Sequence, residues 1–110
     1  MIIDNFRGEY HFLSNFYPIK IMLDGEEYPT LEHAYQASKT SDRRARRVIQ
    51  LMQTPTLARS AGRSTAYVKD LPADWDSRKA TVMLGLLRQK FSDPILKVRL
   101  LETGDSELIE

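Results

Sequence analysis

A chain of 110 residues, 42% hydrophobic and 28% charged, is sized for one small soluble domain spanning 1–110 with a modest core. Its net charge of +1 excludes the field of a dedicated polyanion binder. The lack of cysteine excludes a disulfide scaffold, a thiolate nucleophile and a thiolate metal site. It also suits a reducing cytosol, so a cytoplasmic setting is expected. No apolar run reaches the length of a membrane span, and the N-terminus lacks a signal-peptide core.

The first third reads as β structure. Ile2-Ile3 and the stretch around His11-Phe12 are short strand candidates. Ile19, Ile21 and Leu23 alternate with Lys20 and Met22, and Asp24-Gly25 follows. That dipeptide marks a tight hairpin, because both turn positions need positive φ. Glu26-Glu27-Tyr28 is then the return strand.

The remainder reads as helical. Pro29 ends the extended segment, and Thr30 can cap a helix by accepting from a free backbone N–H. Glu32 falls in the first turn, where the helix dipole favours negative charge. Glu32 and Gln36 share one face, Lys39 lies a turn further on, and Leu31, Ala34 and Ser38 lie on the opposite, core-facing side. A second helix runs from Ser41-Asp42 to Met52, with Ala45, Val48, Ile49 and Met52 inward and Arg43, Arg44, Arg46 and Arg47 outward. Thr54-Pro55 pairs an N-cap with an N1 proline and opens a short helix ending at Gly62. Asp74 or Asp76 caps the longest helix, which reaches Phe91 with Val82, Met83, Leu86, Leu87 and Phe91 as its apolar stripe. Asp93-Pro94 starts another, stopped by Gly104 at the C′ position. A last short strand covers 107–110. Strands followed by helices predict an α+β fold, with an N-terminal hairpin and about five helices.

From spacing alone, the Glu32–Gln36–Lys39 row is an ordinary solvated face. Larger patterns change that. Phe12-Leu13-Ser14-Asn15-Phe16-Tyr17-Pro18, Pro29-Thr30-Leu31-Glu32-His33 continuing to Gln36 and Lys39, Ala61-Gly62-Arg63, and Trp75 with Arg78, Val82-Met83, Leu86 and Lys90-Phe91 occur in that order. Together these elements resemble the NADAR superfamily, the YbiA-like N-glycosidases, from about Asn5 to Glu110. The resemblance implies hydrolysis of an N-glycosidic bond in a ribosylated pyrimidine of riboflavin synthesis or in an ADP-ribosylated base. It implies a phosphorylated riboside or ADP-ribosyl substrate and no metal or organic cofactor.

Within that frame Glu32 is the catalytic candidate. A carboxylate near the anomeric carbon stabilises an oxocarbenium-like state or takes a proton from attacking water. A two-carboxylate arrangement is common in glycosidases, and here one carboxylate stands out. Trp75, the only tryptophan, is either a base-stacking platform or a packed residue at the head of its helix. Asn15 offers a donor and an acceptor to a base or ribose edge, unless Asn-Phe-Tyr-Pro is simply a turn. Gln36 joins Glu32 on the motif face as a substrate contact. Lys39, Arg63 and Arg78 are cations at motif positions, suited to phosphate. Each reads alone as a solvated or helix-terminal charge.

The arginine run Arg43–Arg47 is a solvated face in the simpler reading and a nucleic-acid patch in the sharper one, and the simpler is preferred. His11 and His33 lack ligand spacing, so a metal site is not expected, and His33 reads as a structural histidine. Neither a phosphate-binding glycine loop nor a nucleophile elbow is present. A binding module that holds a nucleotide or ADP-ribose without turnover is the alternative class.

The pattern departs from the family at one end. Family members continue past the point matching Leu108-Ile109-Glu110 with Trp-Gly and Asn-x-Leu-Gly elements and a closing helix. The expectation is a shortened or divergent member whose final strand is unpaired and whose apolar end is uncovered.

Overall fold

The computed structural model describes residues 1–109. Two short sheets and five α-helices follow the expected α+β order. β1 (Ile2–Ile3) leads through a 3-10 helix (Gly8–Leu13) to a hairpin of β2 (Pro18–Leu23) and β3 (Glu26–Thr30). The helices α1 (Leu31–Ala37), α2 (Arg43–Gln50), α3 (Pro55–Gly62), α4 (Trp75–Lys90) and α5 (Pro94–Glu102) come next, and β4 (Glu107–Leu108) ends the order. No helix among the described residues is long and apolar enough to cross a membrane.

The hairpin turns where the dipeptide predicts it. Asp24 has φ 50° and Gly25 φ 84°, and Leu23 pairs with Glu26 across the turn. β3 runs two residues beyond the expected Tyr28, because Thr30 pairs with Pro18. Ile21 and Tyr28 are buried, while Met22 faces out. Its backbone is gripped by Gln89 of α4: the Gln89 amide donates to Met22 O at 2.9 Å and accepts from Met22 N–H at 2.6 Å.

Helix starts follow local capping chemistry. Thr30, Asp42, Thr54 and Asp93 each accept a backbone N–H from the first turn that follows. Gly104, φ +60°, sits one residue past the α5 C-cap Thr103, as the glycine stop requires. Asp74 occupies the N-cap position of α4 but makes no capping bond; its carboxylate turns instead toward Arg78 at 3.6 Å.

Several expectations are corrected. The His11-Phe12 stretch is helical: Gly8 at φ +58° turns the chain in, and consecutive Phe12 and Leu13 are both buried, which a strand's alternation would forbid. α2 stops at Gln50, before Met52, whose carbonyl is taken by His33 Nε2 at 2.9 Å. Arg46 does not share the wet face of Arg43, Arg44 and Arg47. It donates to Thr40 O at 2.7 Å and to Asp24 at 2.6 Å, tying the hairpin turn to α2. Ser38 is only half-buried. Nor is the last strand unpaired: β4 lies parallel to β1, with Ile2 opposite Glu107 and Ile3 opposite Leu108. Glu110, the end of the predicted strand, lies outside the described residues. Ile95, Val98 and Leu101 on α5 and Leu108 and Ile109 beyond it remain exposed.

The main core gathers Ile21, Tyr28, Leu31, Ala34, Ala37, Ile49, Ala58, Ala61, Val68 and Leu86. α1 lies at its centre, packed by the hairpin, α2, α3 and α4. The alanines at 34, 37, 58 and 61 let α1 and α3 approach closely. Ile3, Phe12, Leu13 and Leu96 form a second cluster that carries the 3-10 helix.

Candidate active site

The site begins where β3 becomes α1. Thr30 Oγ1 accepts the His33 N–H at 3.1 Å and lies 2.7 Å from His33 Nδ1. The Met52 carbonyl can only accept, so Nε2 carries the ring proton and Nδ1 accepts from the Thr30 hydroxyl. His33 is therefore held as the neutral tautomer, and burial lowers its pKa. It is the structural histidine that the sequence suggests. Glu32 N–H, still free in the first turn, donates to Asn15 O at 3.1 Å and fastens the Ser14–Pro18 loop over the helix start.

α3 runs beside α1 in the same direction. Along this seam Glu32 meets Arg59, and Gln36 meets Gly62. The part of the polar row that spacing alone reads as solvated is an interior seam at Glu32, 3% exposed, and Gln36, 2%, while Lys39 is half-buried. Glu32 Oε1 accepts from Gln36 Nε2 at 3.0 Å and from Arg59 Nε at 2.8 Å. Among the described residues, the Gln36 amide oxygen has no hydrogen-bond partner. The Arg59 guanidinium also lies 4.7 Å from the centre of the Phe16 ring, a cation–π contact.

Arg59, the partner of this carboxylate, lines a cavity of about 550 Å³ together with Asp4, Asn5, Phe6, Arg7, Ser14 and Phe16. A second cavity, about 370 Å³, brings Lys39, Gly62, Arg63 and Trp75 together with Ser64, Thr65 and Lys69. Burial lowers the pKa of Lys39, and the neighbouring Arg63 charge adds to the effect. Lys39 Nζ also sits 5.8 Å from the Tyr35 ring, which leans on Trp75 at 5.6 Å between centroids. Burial raises the Tyr35 pKa.

The predicted residues thus fall into groups. Glu32 and Gln36 are bonded to each other, while Lys39, Arg63 and Trp75 share one cavity. Trp75 is 7% exposed, so it can offer the cavity an edge but not a free face. Asn15 joins the Glu32 group through its backbone only. Its side chain points to Met83 Sδ at 3.9 Å, in an apolar groove with Phe6, Leu13, Leu87 and Phe91. Arg78 is not brought in; it pairs with Asp74 on the outer face of α4. Arg59 is the residue that sequence reasoning missed. Its signal was its place one turn before Gly62-Arg63, on the side of α3 that meets α1.

A model of the NADAR domain matches residues 4–110. The chain belongs to the NADAR domain family. Among NADAR relatives, N-glycosidase YbiA of Shigella sonnei (strain Ss046) is 38% identical over 103 residues, which is 93% of this chain and 63% of that protein. A riboflavin biosynthesis protein of Vibrio vulnificus (strain YJ016) is 36% identical over 100 residues, 90% of this chain and 27% of that protein. The NMR structure of the Escherichia coli protein YbiA superposes with a TM-score of 0.80 at 35% identity, covering 99% of this chain and 66% of that one. This NADAR chain therefore spans 63% of the length of the YbiA relative.

Proposed function

We propose that this NADAR chain hydrolyses the bond between a ribosyl C1′ and a base nitrogen, with Glu32 as the catalytic carboxylate. The observation that carries the reading is a carboxylate 3% exposed, at a helix N-terminus, fixed by two side-chain donors at 2.8 and 3.0 Å, one of which, Arg59, lines a cavity. Burying a carboxylate in this way is costly for stability alone. In the reaction, water oxygen bonds to C1′ and its proton passes to Glu32. The C1′–N bond breaks with its electron pair going to the nitrogen, which is protonated from solvent. Negative charge at Glu32 stabilises the positive charge that develops on the ribosyl ring.

The substrate is a phosphorylated ribosylpyrimidine or an ADP-ribosylated base. Lys39 and Arg63 hold its phosphate, Trp75 borders its base or ribose, and Gln36 steadies Glu32. Asn15 and Arg78 contact substrate only by turning away from Met83 and Asp74, respectively. The names of the relatives, an N-glycosidase and a riboflavin biosynthesis protein, support this reading. The test is release of free base from a ribosylaminopyrimidine 5′-phosphate and from ADP-ribosylated nucleoside, wild type against Glu32→Gln. Equal release by both proteins refutes the assignment.

A second reading has one observation in its favour. The cavity holding Lys39, Arg63 and Trp75 is lined without Glu32, so it can bind a phosphorylated ligand that is never cleaved. Tight ADP-ribose binding with no base release by the wild type supports that reading.

A further inference from the structure

We propose that Arg59 is the positioning residue of this site: it aims Glu32 so that Oε2, not Oε1, faces the reacting water. The proposal rests on the reading of Glu32 as the catalytic carboxylate.

Both side-chain donors recorded on Glu32 among the described residues, Gln36 Nε2 and Arg59 Nε, converge on Oε1. They come from different helices, so together they fix the rotation of the carboxylate plane. A carboxylate oxygen that already accepts two strong donors is a poor base for a third hydrogen. The reactive oxygen is then Oε2, whose direction is set by the pair on Oε1.

Arg59 is itself pinned. Its guanidinium rests on Phe16 at 4.7 Å. The Phe16 N–H donates to Ser14 Oγ at 3.0 Å, and the Ser14 carbonyl accepts from buried Lys90 Nζ at 2.6 Å. The loop that carries Phe16 is bonded to Glu32 N–H through Asn15 O. Acid, arginine and loop therefore form one closed frame. Arg59 is also the boundary between solvent and carboxylate. Its side chain is 35% exposed against 3% for Glu32, and it lines the neighbouring cavity of about 550 Å³. Lysine at this position would keep the charge but lose the planar fork and the stacked contact.

The experiment measures kcat and KM for base release from a ribosylaminopyrimidine 5′-phosphate by wild type, Arg59→Ala, Arg59→Lys and Glu32→Gln. Misplacing a reacting group by about 1 Å costs on the order of 10²-fold, so Arg59→Ala is expected to lose kcat on that scale with KM little changed. Arg59→Lys should fall between Arg59→Ala and wild type. Added guanidinium ion at millimolar concentration should restore part of the kcat of Arg59→Ala and none of that of Glu32→Gln. In spectra of 15N-labelled protein, the Arg59 Nε–H should be protected from exchange in wild type and released in Glu32→Gln. A merely structural arginine would lower melting temperature without these kcat, rescue and exchange signatures.

Wild-type kcat in Arg59→Ala, or a loss confined to KM, overturns the proposal. If Arg59→Ala does not fold, wild-type kcat in Arg59→Lys overturns it. An inactive Glu32→Gln beside an unimpaired Arg59 variant refutes the arginine's role alone. A fully active Glu32→Gln, or a wild type without turnover, refutes the reading of Glu32 and this role together.

Discussion

Gly62 lies directly against the side chain of Gln36: a Cβ built on Gly62 would fall 2.0 Å from Gln36 Oε1 and 2.6 Å from Gln36 Cβ. The φ of this glycine is not positive, so its role is close approach rather than a left-handed turn. It sets how near α3 can come to α1, and thereby whether Arg59 reaches Glu32.

Gly62→Ala is therefore expected to push the two helices apart or drive Gln36 from its rotamer. Overpacking of this kind costs about 1–3 kcal/mol, and base release should fall as well because Gln36 supports Glu32. Denaturant unfolding alongside an activity assay checks both. Unchanged stability would show that Gln36 has room to retreat.

Glu32→Gln should lose turnover by on the order of 10²–10⁴-fold, the range for a general acid–base group. Its melting temperature should fall only slightly. The substitution leaves Arg59 without its carboxylate, but at 35% exposure the guanidinium can be hydrated. A large drop in melting temperature would identify the Glu32–Arg59 pair as structural.

Trp75 serves packing and cavity at once. It is 7% exposed and leans on Tyr35 at 5.6 Å. Trp75→Ala should destabilise by about 3–5 kcal/mol, as large aromatic truncations in a core do. Its fluorescence should still respond to added ADP-ribose, because Trp75 borders the cavity of Lys39 and Arg63. A flat titration with measurable binding elsewhere would confine Trp75 to the core.

Stability should decline in mild acid through His33. Burial places its folded-state pKa below the ordinary 6.5. The unfolded chain therefore binds the proton first, and the stabilisation from neutral His33 is complete above the ordinary 6.5 and lost as pH falls from there toward the folded-state value. Protonation also puts a hydrogen on Nδ1, where the Thr30 hydroxyl donates. Unfolding free energies measured between about pH 7.5 and 5.5 should slope accordingly, and His33→Asn should flatten the slope. An equal slope in the variant would place the titration elsewhere.

Much of the local architecture was legible in the sequence because its causes lie within four residues. Asp24-Gly25 determined the turn, Thr30, Asp42, Thr54 and Asp93 the helix starts, and Gly104 the last stop. The motif pattern also pointed to the family and to Glu32. Only the tertiary structure decided what surrounds that carboxylate. Arg59 is 27 residues from Glu32 in the chain, and Met83 is 68 from Asn15. Helical periodicity puts Glu32 and Gln36 on one face, but it cannot say whether that face meets water or another helix. Small residues on α1 and α3 let the helices close over Glu32 and Gln36, and burial turned a surface pattern into an interior hydrogen-bonded ion pair. Arg78 went the other way: its motif position was visible in the sequence, but the packing of α4 turned its side chain toward Asp74 and solvent.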